Sequence, residues 1–223
     1  MTYVVSNLHG DYQKFLSLIK KLRFSDEDLM YVLGDIVDYG EESMELIADL
    51  SVRLNVYPIA GEHDYLAAKM LTGFDKMLKS GAAPDPEYIA QMTAWVNDGG
   101  QVTLNGFREL DEEQREGVLD YLCDLALFEE VDVNGESYLL VHAGIADYRD
   151  DTDLYDYLPE DFFTESPDPA RAPIEGRTLI VGHQPTESGK ITRGEGRIFI
   201  DCDVKNGGKL ACLCLETGEE TYV

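Results

Sequence analysis

The chain holds four histidines, and each stands where an apolar run gives way to glycine and polar residues. They are His9 in NLHGD, His63 in GEHD, His142 in VHAG and His183 in VGHQP, each with a glycine within two positions. Glycine at such a break permits close backbone approach and unusual torsions as a strand becomes a loop. A fifth break, LGDIVDYG, carries Asp35 and Asp38. A single histidine on an apolar strand is more often a hydrogen-bonded core residue than a ligand. All four at the carboxyl ends of buried runs is a different observation, because α/β sheets place their ligand sites there. Imidazole and carboxylate donors together suit first-row metals such as manganese, iron or zinc, so the constellation points to a metal site. Asn7 precedes His9 by two residues, at a position where a metal site favours a carboxylate.

The elements that must position these residues alternate. Tyr3–Val5, the run LMYVLGD from Leu29 and the run VYPIAGEHD from Val56 read as strands. Between them, FLSLIKKL from Phe15 and ESMELIADLSVRL from Glu42 have helical spacing. Strand, helix, strand, helix, strand in this order predicts a parallel α/β sheet. Residues 65–130 change character, rich in Ala, Met, Glu and Leu with Gly and Pro punctuation, and read as a helical insertion rather than an independent domain. Strands then return: Asn134-Gly135 between two alternating runs predicts a hairpin, and TLIVGH, RIFIDCD and GKLACLCLE read as three more. The acidic, proline-bearing stretch 147–173 reads as a surface loop with a helical turn.

With 223 residues the chain is long enough for one large core, and 1–223 is taken as a single domain. It has 44 acidic and 18 basic residues, a net charge of −26, which argues against nucleic acid and anionic membrane surfaces as partners. No stretch has the length of a membrane span and the start lacks the pattern of a secretory signal, so a cytoplasmic protein is expected. Cys123, Cys202, Cys212 and Cys214 form no CxxC pair and are expected to be reduced, without a zinc site of their own.

In order along the chain, NLHG, GDIVDYG, GEHD, HAG and GHQP resemble the five strand-end motifs DxHG, GDxxDRG, GNH[DE], HAG and GH[TQ]P. These define the calcineurin-like metallophosphoesterases, and the whole pattern is similar to their bacterial protein serine/threonine phosphatases. WVNDGGQVTL (95–104) and IDCDVKNGGKL (200–210) resemble further segments of that family. The resemblance implies an α/β fold, a two-sheet αββα sandwich with a helical insertion, and a centre of two divalent transition metal ions. Carried over by position, Asn7, His9 and Asp35 would face the first metal. Asp35, Glu62, His142 and His183 would face the second. His63 would be the general acid, oriented by Asp38. The implied reaction is hydrolysis of a phosphomonoester or related phosphate ester, on a phosphorylated protein or a small molecule, by metal-activated water.

The pattern departs from the family at four positions. Asn7 replaces an aspartate, and Glu62 replaces an asparagine. The swap conserves charge, and the expectation is that an anionic ligand has moved from one metal to the other; drift with loss of metal is the competing reading. Tyr39 and Pro159 stand where the family's two phosphate-clamping arginines are expected, leaving Arg149, Arg171 and Lys205 as candidate replacements. These departures support an alternative, a catalytically impaired relative that binds a phosphorylated ligand or protein partner. A single metal site with a purely structural purpose is a third reading, disfavoured because six candidate ligands are too many for a closed four-ligand site.

Overall fold

The computed structural model describes residues 1–163, 174 and 176–223. Parallel strands β1 (Thr2–Val5), β2 (Leu29–Leu33) and β3 (Val56–Ile59) are connected by helices α1 (Tyr12–Leu22) and α2 (Ser43–Leu50). Helix α1 forms where the sequence provides both ends: Asp11 caps Lys14 N–H, Lys20 and Lys21 lie in the last turn, and Arg23 closes it in a left-handed conformation. Those lysines oppose the negative helix terminus. Its buried face carries Phe15 and Leu18, each contributing about 1.5–3 kcal/mol by burial.

Four helices follow β3: α3 (Glu62–Ser80), α4 (Pro86–Trp95), α5 (Gln101–Glu109) and α6 (Glu112–Cys123). They make up the stretch expected to be helical, with one correction of boundary. Helix α3 begins at Glu62 inside GEHD, so His63 lies in its first turn rather than on a strand end. Between α4 and α5 the backbone kinks, with Gly99 at φ 90°. Strands β4 (Phe128–Val133) and β5 (Glu136–Val141) form the expected hairpin. Its turn places Asn134 at φ 53° and Gly135 at φ 85°, the double positive φ that Asn-Gly favours.

The remaining strands are β6 (Thr178–Val181), β7 (Thr192–Gly194), β8 (Arg197–Phe199), β9 (Ala211–Cys214) and β10 (Glu220–Tyr222). The two sheets have the orders β10-β9-β1-β2-β3 and β4-β5-β6-β8-β7. Strands β1–β3 are parallel in the first, and β5, β6 and β8 in the second, with antiparallel partners outside them. Pro58 is tolerated in β3 because that strand is an edge, where a missing N–H interrupts no second ladder.

Three packed layers follow from strand alternation. Val4, Leu33, Ile59, Leu140, Ile180 and Leu213 fill the space between the sheets. The outer face of the first sheet, through Val5 and Val32, packs on Phe15, Leu46, Leu71 and Phe107 of the helices. The outer face of the second, through Leu139, Val141, Leu179 and Val181, packs on Phe162 and Phe163. Phe162 ends, and Phe163 follows, the second of two short 3₁₀ turns, Leu154–Asp156 and Pro159–Phe162, which fits the expected loop with a helical turn as far as residue 163; the rest of that loop, including Arg171, lies outside the described residues. The sheets are therefore sandwiched as expected, with the helices gathered on the first sheet. All four cysteines are free, and Cys202, Cys212 and Cys214 are buried. Among the described residues no helix is long and apolar enough to cross a membrane.

Candidate metal centre

Strands β1, β2, β5 and β6 end at one edge of the sandwich, and the loops leaving them are stitched in pairs. Asn7 N–H donates to Gly34 O at 3.0 Å, His9 N–H to Asp35 O at 2.8 Å and Gly182 N–H to His142 O at 2.8 Å. The chain adopts unusual torsions to achieve this. Asn7, His9, Asp35, Asp38, Tyr39 and His183 all have φ between 44° and 72°, a region non-glycine residues rarely occupy. Such strain persists where surrounding contacts over-determine it, and it clusters at functional sites. Gly61 and Gly182 make the approach possible: a Cβ at Gly61 would meet Asp35 N at 2.2 Å, and one at Gly182 would meet Asn7 Oδ1 at 2.4 Å.

Asp35, His142 and His183 each offer a donor atom, all within 4.8 Å of one another. His142 Nδ1–H donates to Leu33 O at 2.8 Å, which fixes the ring with Nε2 aimed inward. That atom stands 3.4 Å from Asp35 Oδ1 and 3.2 Å from His183 Nδ1. Burial, followed by the neighbouring His142, lowers the pKa of His183 to about 4. Two imidazoles and a carboxylate that the neighbouring His142 and His9 hold well below the ordinary range despite its burial form a donor set suited to a divalent cation.

On the other side of Asp35 the arrangement differs. Asn7 Oδ1 accepts from His183 N–H at 3.0 Å. Its Nδ2 donates to Asp35 Oδ2 at 3.0 Å and approaches His9 Nε2 at 3.5 Å. His9 Nε2 and Asp35 Oδ2 are 3.7 Å apart, and His9 Nδ1 is buried without a partner. Burial lowers the pKa of His9 to about 4. Glu62 is half-buried in the first turn of α3 and lies outside the Asp35–His142–His183 trio.

His63 and Asp38 form a second constellation beside the first. His63 N–H donates to Asp35 Oδ1 at 3.1 Å, and its Nδ1 pairs with Asp38 Oδ2 at 2.8 Å. Asp38 Oδ2 also accepts from Trp95 Nε1 at 2.8 Å, and Oδ1 from Thr103 Oγ1 at 2.6 Å. Burial pulls the His63 pKa down, but the Asp38 hydrogen bond and the charges of Asp35 and Asp38 outweigh it and raise it to about 9. Asp64, the next residue, accepts Gly61, Ile36 and Val37 N–H groups and so pins the start of α3 to the loop after β2. Burial raises its pKa to about 7.

Trp95 and Thr103 lie in the family-like segment WVNDGGQVTL, and their position in it is the one signal of a role that the sequence carries. Tyr39, at the expected arginine position, packs edge-on against His9 and His63 with ring centroids 5.1 and 5.2 Å away, and its hydroxyl donates to Asp98 at 2.8 Å. Lys205 Nζ lies 5.2 Å from the Tyr39 ring centroid, near enough for a cation–π contact. Arg149 is exposed on the loop after β5. Pro159 opens a 3₁₀ turn.

The family model for calcineurin-like phosphoesterases matches residues 2–204. The serine/threonine-protein phosphatase 2 of Salmonella typhimurium is 28% identical over 94% of this chain and 90% of its own length. The symmetrical bis(5'-nucleosyl)-tetraphosphatase of Buchnera aphidicola is 37% identical over 65 residues, 28% of this chain, so the match spans about a quarter (24%) of that relative's length. A crystal structure of a metallophosphoesterase from Sphaerobacter thermophilus superposes with a TM-score of 0.53 over 99% of this chain and 86% of that one, at 15% identity, which speaks for the fold alone. With a matching family model over most of its length, and buried histidines and carboxylates gathered at one sandwich edge, the chain belongs to the calcineurin-like phosphoesterase family.

Proposed function

We propose that the protein is a metal-dependent phosphoesterase that hydrolyses a phosphomonoester or a nucleotide-type phosphate ester. The observation that carries this reading is His63 held by Asp38, itself fixed by Trp95 and Thr103. A merely structural sheet edge has no need of an imidazole so oriented. Asp35, His142 and His183 would hold a divalent metal, manganese being the first candidate. Such an ion supplies Lewis-acid polarisation of a phosphoryl oxygen and a nucleophile from water at neutral pH.

The remaining steps belong to the protein's own groups. His63 Nδ1 faces Asp38, which keeps the proton there and turns Nε2 toward the leaving oxygen. As the P–O ester bond breaks, that oxygen takes the Nε2 proton, and Asp38 stabilises the imidazole throughout. With Tyr39 in place of a clamping arginine, Lys205 is the cation we assign to the phosphoryl oxygens. As a point charge it lacks the two-pronged geometry of guanidinium, which fits a modest catalyst on a broad range of small phosphate esters.

Hydrolysis of p-nitrophenyl phosphate with added Mn²⁺, and its loss in His183→Ala, tests the proposal. Metal-loaded protein that turns over no member of a panel of aryl phosphates, phosphopeptides and dinucleoside polyphosphates overturns it. The departures at Asn7, Tyr39 and Pro159 together favour one second reading, a binding protein for phosphorylated ligands. Saturable phosphopeptide binding without turnover would establish that instead.

A further inference from the structure

We infer that the side-chain amide of Asn7 takes the place of the first metal, so that the centre holds one cation, at Asp35, His142 and His183. The inference rests on the metallophosphoesterase reading above and departs from the two-metal expectation.

The orientation of the amide decides the matter, and two neighbours determine it independently. His183 N–H needs an acceptor and finds Asn7 Oδ1 at 3.0 Å. Asp35 Oδ2 needs a donor and finds Asn7 Nδ2 at 3.0 Å. Turning the amide over would set donor against donor at His183 and acceptor against acceptor at Asp35, in a place where Asn7 is 1% exposed and water offers no rescue. Unpaired buried polar groups of this kind cost about 1–3 kcal/mol each. Asn7 Oδ1 is thus turned toward the backbone of the loop after β6, while Nδ2 is the end that faces Asp35 and His9.

The nitrogen is a donor with two hydrogens, and two would-be metal ligands face it. One is Asp35 Oδ2; the other is His9 Nε2 at 3.5 Å, which stands 3.7 Å from the same carboxylate oxygen. His9 and Asp35 are the two groups that would share the first metal with position 7. The NH₂ group therefore points at both remaining donors of that site and meets the Asp35 lone pair with an N–H bond. An amide nitrogen has no lone pair to offer a cation, whereas an aspartate at position 7 could accept from His183 with one oxygen and ligate with the other. Glu62 lies outside the Asp35–His142–His183 trio and supplies no replacement for the oxygen at position 7.

Metal content is the direct test, since it needs no substrate. Chelator-stripped protein is reloaded with Mn²⁺, passed through a desalting column and measured by elemental analysis and electron paramagnetic resonance. The expected result is about one ion per chain and the six-line spectrum of an isolated Mn²⁺, with Asn7→Asp rising to about two ions and an exchange-coupled spectrum. His9→Ala, which removes a donor only from the first position, is expected to leave the content of the wild type unchanged. That variant keeps the test decisive if Asn7→Asp fails to fold. Two ions in the wild type, or loss of an ion in His9→Ala, overturns the inference. A wild type that binds no metal at all instead overturns the phosphoesterase reading on which it rests.

Discussion

Trp95 Nε1 donates to Asp38 Oδ2 at 2.8 Å across 57 positions of sequence, and the same oxygen holds His63 Nδ1 at 2.8 Å. Thr103, on α5 beyond the kink, takes the other carboxylate oxygen. The helices that follow β3 therefore fix the orientation of the residue assigned to protonate the leaving group.

Replacing that acid should matter in proportion to how much the leaving group needs a proton. His63→Asn is expected to slow hydrolysis of phenyl phosphate by roughly 10²–10⁴-fold and that of 2,4-dinitrophenyl phosphate far less. A rate series across substituted phenyl phosphates measures this. Equal losses for all leaving groups would remove His63 from the role.

Trp95→Phe keeps most of the ring and deletes one donor to a fully buried carboxylate. The unfolding free energy should fall by about 1–3 kcal/mol, read from urea denaturation, and kcat should fall more than KM rises. Thr103→Val should behave alike, because Oγ1 both donates to Asp38 and accepts its N–H at 3.0 Å. A Trp95→Phe protein with unchanged stability and unchanged kcat would show that the hydrogen bond is idle.

The raised pKa of His63, about 9 against an ordinary 6.5, ties stability to pH in the metal-free protein. The folded state keeps a proton that the unfolded chain releases above pH 6.5. His63 therefore stabilises fully below that pH, and the contribution fades as pH rises through 9. Melting temperatures in chelator from pH 6 to 9.5 should fall along this limb, and His63→Gln should flatten it. Parallel curves for the two proteins would contradict the shift.

Lys205 is tested by a competitive anion rather than by turnover. Lys205→Ala should weaken inhibition by inorganic phosphate roughly tenfold or more, the scale of a hydrogen bond to a charged group. Arg149→Ala should leave it near the wild-type value. The reverse ranking would give the phosphoryl group to Arg149.

The parts of this structure that were readable in the sequence are those specified by neighbours in the chain. The Asn134-Gly135 turn needs only two residues with positive φ, and the breaks at His142 and His183 follow directly from the apolar runs before them. The start of α3 is not legible in the sequence, because Gly61, Glu62 and His63 look like any strand exit and the helix start is pinned by Asp64 accepting the Gly61, Ile36 and Val37 amides. Trp95 and Thr103 announce no partner, since Asp38 lies 57 and 65 positions away. Asn7 is the sharpest case. Its residue type was plain and suggested charge exchange with Glu62, yet its consequence depends on a backbone N–H 176 residues downstream. Pattern gives the identity of a ligand position; only the acceptor and donor around an amide say which of its ends faces inward.

Trp95 is the only tryptophan in the chain, it is 3% exposed, and its indole nitrogen touches the carboxylate that steadies His63. The protein thus carries a single indole fluorophore, tied to the residues proposed for its chemistry. Excited at the red edge of indole absorption, it reports from one place, and any event that shifts Asp38 should register as a change in emission intensity or lifetime. Metal loading, phosphate binding and substrate turnover can each be followed optically, with no label attached.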